Sequence, residues 1–117
     1  MLEAEFTGAF GRDMGTPRVL VGWGPVAGLL QQGAIMGKAP NPADFDREAS
    51  TAVLVLSPFA TNTGQRPEIR VRIGKGVARI GARAKPPGPA LMVLNHPFWV
   101  GVFKGDCAFD LRNLPGG

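Results

Sequence analysis

The chain has 117 residues, with 13 basic against nine acidic side chains and a single His and Cys. That length holds one domain around one core, and a lone Cys excludes an intramolecular disulfide framework and a cysteine-only metal site. Apolar residues at 44% and charged ones at 19% match a globular chain rather than a disordered one, and no apolar run approaches the roughly 18 residues of a transmembrane helix.

The acidic start, Met1 to Phe6, lacks the basic and apolar regions of a signal peptide, so a cytoplasmic site of synthesis is expected. Seventeen Gly and eleven Pro are scattered among apolar runs, where they punctuate strands and turns.

Leu2, Phe6, Phe10 and Met14 fall four apart, with Glu3 and Glu5 where a helix dipole favours acids. This spacing predicts a helical segment over 1–14, weakened by Gly8 and Gly11 and ahead of a single β-rich domain over 15–117. From Gly15 onward, short β-branched or aromatic runs alternate with Gly, Pro and Asn, which predicts a mainly β fold, a small antiparallel barrel or sandwich. These runs are RVLVGWG, TAVLVL, EIRVRI, VARIGAR, LMVL, FWVGVF and CAFDLR.

The run from Glu68 to Arg83 is the most regular. Ile69, Val71 and Ile73 point one way and Arg70 and Arg72 the other, Gly74-Lys75-Gly76 forms a turn, and Ala78, Ile80 and Ala82 then alternate with Arg79 and Arg83. Seven of the basic residues lie between Arg66 and Lys85 against one acid, Glu68. The resulting hairpin presents Arg66, Arg70, Arg72, Lys75, Arg79 and Arg83 to DNA or to an acidic partner. It carries no aromatic residue on which a base could stack. Segments 37–50 and 84–89 read as loops, the first with room for a short helix between Pro42 and Ala49.

His96, Cys107 and Asp110 are the raw material of a thiol nucleophile. Alternation, however, groups Cys107 with Phe109 and Leu111, the pattern of a small buried hydrophobe, and His96 precedes Pro97 as a turn or surface residue. Neither GWGPVAG (22–28) nor GKGVARIG (74–81) has the spacing of a phosphate-binding fingerprint, and both read as turns. No catalytic residue, metal site or cofactor is therefore expected.

In the run 98–103, Phe98, Val100 and Val102 share one face, and Trp99, Gly101 and Phe103 the other. A strand apolar on both faces is either sandwiched within its domain or covered by another subunit. The shortness of the chain favours the partner, with Phe6, Phe10, Phe98, Trp99 and Phe103 as the docking residues.

The ending LMVLNHPFWVGVFKGDCAFDLR resembles that of the lambda-like head-tail joining proteins of tailed phages. The shared pattern is the aromatic run Phe98-Trp99-Val100, the polar turn Lys104-Gly105-Asp106 and a closing strand from Cys107 to Leu111. The order of a short N-terminal helix, a strand at Arg18 to Gly22 and paired strands at Ile69 to Ile73 and Val77 to Arg83 is also similar, whereas 37–66 has no counterpart. The resemblance implies a non-enzymatic virion structural protein. It would form a ring of its own copies between portal or adaptor and tail proteins and make no membrane contact. The basic hairpin is not part of the resemblance; in such a ring it would face the DNA channel or an acidic neighbouring ring. The alternative is a small basic β-barrel that binds nucleic acid as its main task.

Overall fold

A computed structural model describes residues 1–11, 19–32, 35–37, 39–56, 61–62, 68–83, 94–105 and 108–113. Among the described residues, nine strands and one α-helix follow one another as β1 (Leu2–Phe10), β2 (Val19–Val21), α1 (Trp23–Gln32), β3 (Ile35–Gly37), β4 (Ser50–Leu56), β5 (Thr61–Asn62), β6 (Glu68–Gly74), β7 (Val77–Arg83), β8 (Leu94–Lys104) and β9 (Ala108–Asn113). The larger sheet has the order β2-β4-β8-β1-β3, with β5 also paired to β8, and the smaller has the order β6-β7-β9. The fold is mainly β and sandwich-like, and the described residues form no closed barrel.

β8 organises the molecule. It pairs antiparallel with β1 on one side and with β4 on the other, from Leu56↔Phe98 to Ser50↔Lys104. Pro97, which has no N–H to give a ladder, sits just past the end of the β4 pairing, where a proline is tolerated. Both faces of β8 are covered from within the chain. On one, Phe98, Val100 and Val102 pack with Phe10, Ala52, Leu54 and the buried α1 residues Trp23, Val26 and Leu30. On the other, Trp99 and Phe103 pack with Val53, Val55, Ala78 and Ile80, so the smaller sheet lies there.

This burial corrects the expected docking surface. Phe10, Phe98 and Phe103 are wholly buried and Trp99 is 3% exposed, so these four side chains hold the core and are not available to a partner. Phe6 is half-buried against the same core and meets the ring of Phe45 edge-on at 6.2 Å. The chain does have enough material to cover both faces, because a ten-residue helix and a three-stranded sheet each supply a layer.

The N-terminal segment is a strand, not a helix. A spacing of four is a multiple of the strand period of two, so Phe6 and Phe10 share a strand face as readily as a helix face. Ala4 and Gly8, the small residues between them, hid the alternation. Leu2 escapes that face. The pairing skips from Leu2↔Phe103 to Ala4↔Val102, a bulge at Glu3 that turns Leu2 towards the second cluster.

The helix instead occupies Trp23–Gln32, part of which reads as a turn in sequence. Pro25 stands in its first turn, where no N–H is needed, and Val26 donates to the Gly22 carbonyl at 3.1 Å. Trp23, Val26 and Leu30 recur at helical spacing and form the buried stripe, so packing overrides the weak propensity of Gly24 and Gly28. The segment leading to β4 is pinned by Trp23, whose Nε1 donates to the Ser50 hydroxyl at 3.2 Å, while that hydroxyl donates to the Asp46 carbonyl at 2.5 Å. Within it, Pro42–Asp44 form one 3-10 turn capped by the Asn41 side chain.

Candidate nucleic-acid interface

Strands β6 and β7 form an antiparallel hairpin in which Ile69↔Ala82, Val71↔Ile80 and Ile73↔Ala78 face each other, as do Arg70↔Gly81 and Arg72↔Arg79. The turn has two central residues, Lys75 at φ 51° and Gly76 at φ 73°. Two successive left-handed residues give the turn whose twist matches that of the flanking strands. Glycine meets that demand at no cost, whereas lysine meets it under strain.

The inner face of the hairpin caps the core: Ala78 and Ile80 are buried, and Ile69, Val71 and Ala82 are packed against them. Ile73 departs from the expected pattern. It has the inward parity but remains 45% exposed, on the edge strand of the small sheet, while Ala78 opposite it is buried. Around the hairpin tip lies an open recess of about 450 Å³ lined by Arg72, Ile73, Gly74, Lys75, Val77 and Arg79.

The outer face presents Arg70, Arg72 and Arg79 to solvent, with Lys75 exposed at the turn. Arg83 lies in β7 opposite Glu68, and Arg66 lies outside the described residues. Arg72 and Arg79 are directly opposite across the ladder, an unfavourable arrangement for like charges.

β9 joins this face by parallel pairing with β7, Ala78↔Phe109 and Arg79↔Asp110. The chain reaches it by crossing the other sheet as β8. Phe109 and Leu111 pack inward, and Phe109 meets Phe103 edge-on at 5.2 Å. Asp110 and Arg112 therefore point outward beside the arginines of the hairpin. Arg112 grips the Asp110 carboxylate with two donors, Nε at 2.9 Å and Nη2 at 2.8 Å, and Arg79 Nε stands 3.8 Å from the same group. The Arg112 hydrogen bonds hold the Asp110 carboxyl at about 2, below its ordinary 3.8. The Arg112 guanidinium is raised in turn by the same partner. Asp110 is 17% exposed, beneath arginines that are 69% and 84% exposed.

Sequence reasoning finds the hairpin arginines but misses Asp110 and Arg112 as members of the same surface. Their outward parity is legible, since they alternate with Phe109 and Leu111, but parallel pairing to β7 across an intervening strand has no local signal.

Of the thiol arrangement, His96 and Asp110 lie in different sheets. His96 is half-buried in β8 opposite Phe10, Asp110 is held by Arg112 in the other sheet, and Cys107 lies outside the described residues. Among the described residues no three His, Cys, Asp or Glu side chains cluster as a metal site, and no helix is long and apolar enough to cross a membrane. No family model, curated protein or solved structure matches this chain.

Proposed function

We propose that this chain is a non-enzymatic binding protein that docks the phosphate backbone of nucleic acid on the outer face of β6-β7-β9. The observation that carries the reading is Arg72 directly opposite Arg79, flanked by Arg70 and Lys75. A fold that holds like charges face to face accepts repulsion that a bound polyanion relieves. Asp110 is the acidic side chain that β9 sets among these arginines, its charge is already shared with Arg112 and Arg79, and Glu68 lies away from them at the start of β6, opposite Arg83. The face carries no aromatic side chain among the described residues, because Phe109 is turned inward, so the contacts it offers are to phosphates rather than to bases. Titration of a labelled duplex with the wild type and with a triple variant, Arg70→Gln, Arg72→Gln and Arg79→Gln, tests this. Retained affinity in a folded triple variant would refute it.

A second reading keeps the same face and sets it in the head-tail joint of a tailed phage, lining the DNA channel or meeting an acidic ring. What supports it is the order of paired strands β6 and β7, the aromatic strand β8 and the closing strand β9. Phe10, Phe98, Trp99 and Phe103 are internal, so such contacts would fall to Phe6, strand edges and loops. Light scattering across salt and protein concentration tests it: a salt-resistant ring is expected, and a monomer at every concentration, alone and with portal protein, contradicts it.

A further inference from the structure

We infer that Asp110 is an internal counter-ion that confines phosphate contacts to one track, formed by Arg70, Arg72 and Lys75 along β6 and its turn. The inference rests on the nucleic-acid reading above. The outer face is not uniformly basic. At its β9 side, Asp110 engages Arg112 through two hydrogen bonds and Arg79 through a longer contact, so two guanidinium groups share one carboxylate. A phosphate approaching Arg79 or Arg112 meets that carboxylate beside it, and the repulsion offsets much of what the arginine contributes.

The β6 side differs. Arg70 and Arg72 are two residues apart on one strand face, and Lys75 continues the line at the turn. None of the three has an ion-pair partner among the described side chains. At about 3.3 Å per strand residue, the two arginines project roughly 6.6 Å apart in a row. The geometry is that of a rail for one phosphodiester strand, rather than a patch that would hold a compact anion from several sides. The strained Lys75 extends this rail beyond the end of the ladder.

Phosphate contacts are counted by the salt dependence of affinity, because each one releases condensed counter-ions and adds about −0.9 to the log-log slope on duplex DNA. The experiment is fluorescence anisotropy of a short duplex titrated with full-length protein over roughly 50 to 200 mM salt. Asp110→Asn, which frees Arg79 and Arg112, is expected to tighten binding and steepen the slope by one to two contacts. Arg72→Gln is expected to flatten it by about one contact. Arg112→Gln is expected to leave the slope unchanged, since its charge is already satisfied and Asp110 then turns to Arg79.

Thermal melts establish that each variant is folded, and the two arginine variants decide the question if Asp110→Asn is not. An equal loss of slope in Arg112→Gln and Arg72→Gln, or an unchanged slope in folded Asp110→Asn, overturns the inference while leaving nucleic-acid binding intact. Absence of binding by the wild type at the lowest salt overturns both.

Discussion

Among the described glycines, Gly101 leaves the least room for a side chain. A Cβ at Gly101 would overlap the six-membered ring of Trp99, which lies over it on the same strand face, while the indole Nε1 donates to Glu5 Oε1 at 3.3 Å. Gly101→Ala must push this ring into a packed layer, and a destabilisation of about 1 to 3 kcal/mol by urea unfolding is expected. Trp99→Ala removes the ring itself. Its expected cost is about 3 to 5 kcal/mol, felt by the isolated monomer rather than by any assembly. Asp110 gives a pH signature. Its carboxyl titrates at about 2 in the folded chain against an ordinary 3.8, because Arg112 hydrogen-bonds the charged form. Its contribution is therefore complete above 3.8 and fades as pH falls from there towards 2. Over that window the thermal midpoint of the wild type should fall more steeply than that of Asp110→Asn.

Among the elements, the β6-β7 hairpin was legible and α1 and β1 were not. The hairpin announces itself because every signal agrees: strict alternation, a glycine at the turn position that needs positive φ, and charge on one face only. β1 is ambiguous because Phe6 and Phe10 satisfy two periods at once. α1 is hidden because Gly24, Pro25 and Gly28 argue against a helix that exists to bury Trp23, Val26 and Leu30. The turn can be tested directly. Gly76→Val forces a β-branched residue into φ 73°, so a loss of about 1 to 2 kcal/mol is expected. Loss of hydrogen-exchange protection in β6 and β7 ahead of β8 would place that strain in the hairpin; uniform loss would instead make the hairpin part of one cooperative unit.

At the scale of the whole molecule, β8 divides two tasks. One face closes a core with α1, and the other supports a small sheet whose inner side is apolar and whose outer side is basic. That β8 is apolar on both faces was readable from the sequence. What covers it was not, because the cover consists of segments distant in the chain, such as Trp23 and Ile80. Likewise, seven basic residues between Arg66 and Lys85 mark a surface in the sequence, but the parallel docking of β9 that sets Asp110 into that surface is a property of the fold. This division predicts that the outer face can be rewritten without cost to the core. The triple arginine-to-glutamine variant should keep the wild-type thermal midpoint, or exceed it slightly as the Arg72 and Arg79 repulsion is removed.

The most direct test of the account is the affinity of wild-type protein for duplex DNA of two unrelated sequences, measured across a salt series. The account predicts binding at low salt, equal for both sequences, with the logarithm of affinity falling linearly against that of salt concentration. Absence of binding at low salt, or an affinity indifferent to salt, would contradict it.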